Sequence, residues 1–389
     1  MTRFRDALAA PGVRAIAEIK RRSPSAGDLR PDADPAGLGR AFERAGAAAI
    51  SVLVDGRFGG SVDDLRAARS ATTLPLLAKG FFHAEDDLLA LREAGADAVL
   101  LLLRDLDDRM TVRLRERAAS LGLETLVEAH DAAELDRAVA LGAEVIGVNA
   151  RDLSTFRVDR LAQLDLMARA PGDRVVVAES GILHRAHAAA AELAGADAVL
   201  VGSALMRAAD PGAALAALMR RPLVKVCGLT SSEDVDAAAE AGADLAGFVL
   251  AHGPRRMEEP LPVPDRMLSV GIFVGAVRNV GTDLVQRYAE EGGHRGRTAE
   301  LIRDGAPVAR ILDLPWEGHD DGHWGRAARL ASQERVVLAG RLGPENVGRA
   351  VREVRPWCVD AARGLESAPG VKDHARVRAF VQEVDRACA

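Results

Sequence analysis

The chain has 389 residues, enough for two ordinary domains, and its 48% apolar content suffices for buried cores. Its net charge of -6, with acids and bases interspersed and no basic-aromatic block, argues against a nucleic-acid partner and for small-molecule chemistry. Three cysteines without framework or metal-ligand spacing (Cys227, Cys358, Cys388) fit reduced thiols in a cytoplasmic protein; no metal site, signal-peptide core or membrane-length apolar stretch is found.

Eight strand-like apolar runs occupy the first 203 residues: 14–20, 48–54, 74–79, 97–103, 123–128, 144–149, 174–180 and 197–203. Stretches with helical spacing, such as 84–94 and 131–141, separate them. Strand alternating with helix implies βαβ units and a parallel sheet, and eight units close a TIM barrel. Each strand then delivers its last residues to one rim. Glu18, Lys20, Lys79, Glu128, Asn149, Arg151, Glu179, Ser180 and Ser203 are expected at that mouth. The recurring phrase (A/L)GA before a strand, as in AGADAVLLL and LGAEVIGVN, reads as a glycine closing a helix. A closing helix over 210–220 and the pair Arg221-Pro222 divide the chain into expected domains at 1–220 and 222–389.

The second part begins as another barrel, with strand-like runs at 223–229, 244–250 and 267–274. From 275 to 304 the pattern turns helical, at 283–291 and 298–303, around the polar glycine-rich segment 290–297. Strands return at 308–312, 336–339 and 357–360. Six strands stand where eight are needed, and this half falls short of the ~200 residues that barrels seldom go below. Either two strands are hidden by composition or part of the barrel is lost. The expected fold is therefore α/β, two tandem TIM-type barrels with the second shortened or incomplete.

In the first half, IAEIKRRSPSAGDL puts Glu18 and Lys20 on alternate, inward-facing positions with Ser23 in the loop above. With LLAK, LVEAH, IGVNARDL, AESGI and VLVGSALM at the later strand ends, residues 4–219 resemble indole-3-glycerol phosphate synthase. Taken singly, Lys20 or Glu128 reads as a rim ion pair and Phe58 as packing; the ordered set is what carries the likeness. That family closes a ring from a carboxyphenylamino-deoxyribulose phosphate, losing carbon dioxide and water. Two lysines and several carboxylates in one pocket can divide the proton transfers. The resemblance assigns Lys20 and Lys79 as acid and electrostatic groups, Glu128 as acid–base partner and Glu18 as their orienter. Ser23, Phe58, Asn149, Arg151, Glu179 and Ser180 would bind substrate, and Gly181, Gly202 and Ser203 the phosphate. Two departures stand out. Gly80 follows Lys79 where the family usually has an acid, and the arm before the first strand is short, so neither the lysines' field nor lid closure is assured.

In the second half, KVCGLTSSEDV, GFVLAHGPRRM, VGIFVG, LAGRLGPENV and VDAARGLESAPGVKD resemble phosphoribosylanthranilate isomerase. That family performs an Amadori rearrangement with a cysteine thiolate as base and an aspartate as acid. Cys227 and Asp313 match those roles, Arg255 the substrate carboxylate, and Gly340 and Gly364 the phosphate loops. A glutamine-leucine-histidine-glycine strand is not recognised, the phosphate loop after Asp313 is degenerate over 317–324, and Arg341 and Arg363 replace glycine and serine. Three readings stay open: a bifunctional enzyme of tryptophan biosynthesis, a synthase carrying a non-catalytic phosphosugar-binding or scaffolding module, or a specialised enzyme on a related anthranilate phosphosugar. No cofactor, nucleic acid or membrane is implied, and a monomer is expected. Whether Cys227 and Asp313 face one cavity discriminates between the first two.

Overall fold

The computed structural model describes residues 3–23, 27–152, 155–289, 298–314 and 322–388. It divides into two compact units, Met1–Met219 and Arg220–Ala389.

The first unit is a closed barrel of eight parallel strands. They are β1 (Arg14–Ile19), β2 (Ala49–Leu53), β3 (Leu76–Lys79), β4 (Ala98–Leu102), β5 (Glu124–Ala129), β6 (Val145–Asn149), β7 (Val175–Glu179) and β8 (Ala198–Val201). Neighbours in sequence pair in space, and β8 returns to β1 through Ala17↔Val201. Nearly every strand residue is buried, because one face packs the barrel interior and the other the helices. Inside, Ile16, Leu77, Leu100, Leu126, Val177 and Leu200 form one cluster with Phe4 and Leu8 of α1 (Arg3–Leu8). Burying each of those two side chains stabilises by about 1.5–3 kcal/mol. The backbone amides of Phe4 and Arg5 donate to Glu124 at 2.7 and 3.0 Å. Since Glu124 opens β5, α1 closes the barrel end opposite the mouth. The (A/L)GA glycines at 46, 95, 142 and 195 all have φ between 75° and 98°, the left-handed conformation that ends a helix without steric cost.

The second unit also closes at eight strands, which corrects the expectation that it is incomplete. The strands are β9 (Leu223–Cys227), β10 (Leu245–Val249), β11 (Leu268–Val274), β12 (Leu284–Tyr288), β13 (Thr298–Arg303), β14 (Ala306–Asp313), β15 (Val336–Ala339) and β16 (Cys358–Ala361). The two segments expected as helices, 283–291 and 298–303, contain β12 and β13; residues 290–297 between them lie outside the described residues. All pairings are parallel except β12–β13 and β13–β14, so β13 runs against its neighbours. What is shortened is the outer layer. No helix links β10 to β11 or β11 to β12, and β13 turns into β14 through Asp304-Gly305, with φ of 47° and 81°. Those angles are the positive pair of a two-residue hairpin turn.

The bare outer face explains why β12 and β13 read poorly. Leu284, Gln286, Tyr288, Ala299 and Leu301 point inward and are buried. Arg287, Glu300 and Arg310 point outward, with an Arg287–Glu300 ion pair at 2.6 Å. A strand with one solvated face alternates polar and apolar, and so lacks the continuous apolar run of a helix-covered strand.

Candidate active sites

At the mouth of the first barrel a cavity of about 1040 Å³ is lined by Glu18, Lys20, Ser23, Phe58, Lys79, Glu128, Asn149, Arg151, Ser180, Gly181, Gly202 and Ser203. Glu179 lies just beneath, fully buried, paired with Lys79. A Cβ at position 147 would collide with Glu179, so Gly147 on β6 makes room for that carboxylate. Every site residue expected in this half therefore converges.

The charges form a compact array. Lys79 Nζ pairs with Glu179 and lies 3.6 Å from Glu18 Oε2 and 3.7 Å from Glu128 Oε2. Lys20 pairs with Glu18 at 2.6 Å. Burial alone would discharge Lys79, but its three carboxylates outweigh that and push its pKa up. The absence of an acid at Gly80 therefore does not leave Lys79 poor in negative partners. Burial likewise opposes ionisation of Glu128, yet Lys79, His130 and Asn149 hold it down at about 2. Asn149 Nδ2 donates to Glu128 Oε1 at 2.9 Å, while Oε2 has no hydrogen-bond partner among the described residues. Glu18 has Lys20 and Glu128 has His130, whereas among the described residues Glu179 has Lys79 alone. Burial and the nearby Glu128 accordingly raise Glu179 to about 8, despite its contact with Lys79. His130, which the sequence motif contained without a role, sits 3.1 Å from Glu128 and 3.0 Å from Glu134. Burial opposes its charge, but these carboxylates carry it up to about 9.

Above the charges, Phe81 stacks on Phe58 with centroids 6.3 Å apart, and the Arg57 guanidinium covers Phe81 at 3.8 Å. Phe81 and Arg57 were not singled out from sequence, although both neighbour residues that were. The far rim holds Ser180, at φ 68°, and Gly181 after β7, with Gly202 and Ser203 after β8.

The second barrel has a smaller cavity of about 230 Å³, lined by Cys227, Arg255, Asp313, Gly340, Arg341, Arg363 and Gly364, with Gln286, Tyr288 and Asp360. Cys227 and Asp313 thus face one space from β9 and β14. Burial raises the Cys227 thiol, against the field of Lys225. Burial also raises Asp313, to about 6, against a Tyr288 hydrogen bond and the charges of Lys225 and Arg363. Arg255 is held in a two-pronged pair with Glu366, at 2.6 and 2.5 Å. Gly340 has φ 86°, and a Cβ there would strike the backbone of Leu314. Arg341 has φ 59°, in the left-handed region that favours glycine. Of the loop at 317–324, residues 317–321 lie outside the described residues. Lys225, Gln286, Tyr288 and Asp360 were missed as site residues, Tyr288 because its strand went unrecognised.

The family model described as indole-3-glycerol phosphate synthase matches residues 1–218. That described as N-(5'phosphoribosyl)anthranilate isomerase matches residues 323–383. Indole-3-glycerol phosphate synthase of Mycobacterium ulcerans is 48% identical over 214 residues, 55% of this chain and 79% of that protein. Indole-3-glycerol phosphate synthase 2 of Streptomyces coelicolor is 48% identical over 217 residues, covering 56% and 84% respectively. Among solved structures, phosphoribosyl anthranilate isomerase from Thermus thermophilus shares 26% identity with a TM-score of 0.35, covering 42% of this chain and 98% of that one.

Proposed function

The chain belongs to the indole-3-glycerol phosphate synthase family, with a phosphoribosylanthranilate isomerase domain fused behind it in tryptophan biosynthesis, and we propose that both barrels are catalytic. The isomerase would make the carboxyphenylamino-deoxyribulose phosphate that the synthase consumes. The observation that carries this reading is that Cys227 and Asp313 line one cavity.

In the first site, ring closure requires a proton on the substrate ketone, loss of carbon dioxide and then loss of a hydroxyl as water. Lys79, held charged by three carboxylates, protonates the oxygen and stabilises the developing charge. Glu128, oriented through Oε1 by Asn149 and facing Lys79 through Oε2 at 3.7 Å, moves the second proton. Lys20 and Glu18 complete the field. Phe58 and Phe81 flank the aromatic ring, Arg151 takes its carboxylate, and the Ser180-Gly181 and Gly202-Ser203 turns take the phosphate.

In the second site, Asp313 gives its proton to the ribose ring oxygen, opening the ring to an iminium. Cys227, once ionised with help from the Lys225 charge against the cost of burial, removes the C2 proton, and the resulting enamine relaxes to the ketone. Arg255 would take the anthranilate carboxylate, exchanging it for Glu366, and the loops at Gly340 and Gly364 the phosphate. We read the protein as a cytoplasmic monomer with reduced thiols. Acid–base chemistry suffices for both steps, so the reading needs no metal or redox cofactor.

The test is a pair of assays on the full chain: appearance of indole-3-glycerol phosphate from the open-chain substrate, and loss of phosphoribosylanthranilate fluorescence. Both should turn over, and Cys227→Ala should lose the second alone. A wild type silent in the second assay would reduce the C-terminal barrel to a binding module.

A further inference from the structure

Four polar side chains inside the second barrel transfer no proton in the chemistry above: Lys225, Gln286, Tyr288 and Asp360. They connect. Lys225 on β9, 1% exposed, donates to Asp360 Oδ2 on β16 at 2.8 Å and to Gln286 Oε1 on β12 at 2.6 Å. Gln286 Nε2 donates to the Tyr288 hydroxyl at 2.7 Å, and that hydroxyl donates to Asp313 Oδ2 on β14 at 2.9 Å. The run crosses the barrel interior and ends on the acid.

Its direction follows from chemistry. An ammonium has no acceptor, so Gln286 must turn its carbonyl toward Lys225 and its amide N–H toward Tyr288. The phenol oxygen accepts that bond and has one proton of its own, which goes to Asp313. The phenol proton takes one lone pair of Oδ2, which leaves Oδ1, without that bond, as the better oxygen to carry the acidic proton.

We propose that Tyr288 is a positioning residue for the acid of the isomerase reaction: aligned by Lys225 and Gln286, its hydroxyl fixes the Asp313 carboxyl and leaves Oδ1 to carry the transferred proton. The proposal rests on the isomerase reading of this barrel. It also accounts for the strand sequence: Gln286 and Tyr288 are two residues apart on β12 (Leu284–Tyr288), both buried on its inward face, which is the spacing that lets one align the other. The buried Tyr288 phenol, with Asp313 beside it, is raised well above its ordinary range and remains a donor across the working pH.

The groups acting on Asp313 are Tyr288 from β12, Asp360 from β16, Lys225 from β9 and Arg363 from the turn after β16, with Cys227 on β9 in its field. Burial sets it high, Asp360 adds to that, and the phenol and the two cations oppose it. Tyr288→Phe removes only the hydroxyl. Difference infrared titration of the full chain, with Asp313→Asn identifying the band, should show the Asp313 midpoint rising by about one pH unit, the scale of one hydrogen bond to an ionised group. The limb of the isomerase kcat profile near pH 6 should move the same way. We expect kcat to fall about tenfold with KM within about twofold, as for an interaction felt chiefly in the transition state. Gln286→Glu keeps the ring but offers the phenol a rival carboxylate, and should shift the midpoint in the same sense. An unchanged midpoint in Tyr288→Phe overturns the proposal. Should the wild type not isomerise phosphoribosylanthranilate, the reading of the barrel fails, while the infrared midpoints still decide what Tyr288 does to Asp313.

Discussion

The two barrels solve one problem, keeping ionisable groups inside an apolar wall, in opposite ways. The first clusters charge: three buried glutamates surround Lys79 beneath a cavity of about 1040 Å³. The second strings it out: one lysine, a glutamine and a tyrosine link Asp360 to Asp313 beside a cavity of about 230 Å³. Their outer layers differ as well. The first barrel is helix-covered, while β12 to β14 of the second face solvent with Arg287, Glu300 and Arg310. A site therefore needs the eight inward strand ends more than it needs the helices outside them.

Lys79→Met should break the contrast most severely. It strips Glu18 and Glu128 of a cation they share, and removing one partner of a buried ion pair costs about 3–5 kcal/mol. Synthase turnover should fall by about 10³-fold or more, with the isomerase spared, and urea unfolding should show the first unit losing stability. Cys227→Ala comes next: removing a general base typically costs about 10²–10⁴-fold. Here the loss should fall on isomerisation alone, and an equal fall in synthase activity would mean that the sites are not independent.

A smaller effect tests the charge cluster through pH. The folded Glu179 sits at about 8, above its ordinary 4.5, so between those values the native state holds a proton that the unfolded chain has released. Its contribution to stability must then decline as pH rises through that window. Glu179→Gln removes the titration, so the urea midpoint of the first unit should fall less between about pH 5 and about pH 8 than in the wild type. Equal declines would place the proton elsewhere in the cluster. Smallest of all, Arg341→Gly should relieve a left-handed backbone worth roughly 1–2 kcal/mol and raise the melting temperature of the second unit. A lower melting temperature would show that the arginine's contacts outweigh its strain.

Legibility in the sequence followed burial. The strands of the first barrel, covered on both faces, stood out as continuous apolar runs, and their terminal residues named the site. β12 and β13 did not, since Arg287 and Glu300 interrupt them on the solvent side. One local signal was present even there: Asp304-Gly305 is a hairpin pair, and its positive φ angles show it used as one. Missing β12 hid Gln286 and Tyr288. The elevated Glu179 was illegible for another reason. Its state depends on burial and on the closeness of Glu128 and Lys79, a matter of distance that motif spacing does not encode.

The most direct test of two complete, consecutive sites is to give the full chain phosphoribosylanthranilate alone and follow indole-3-glycerol phosphate. The wild type should form it, Lys79→Met should stop at the open-chain carboxyphenylamino ketone, and Cys227→Ala should leave the starting material untouched. A wild type that makes indole-3-glycerol phosphate only when the open-chain ketone is supplied would contradict the account.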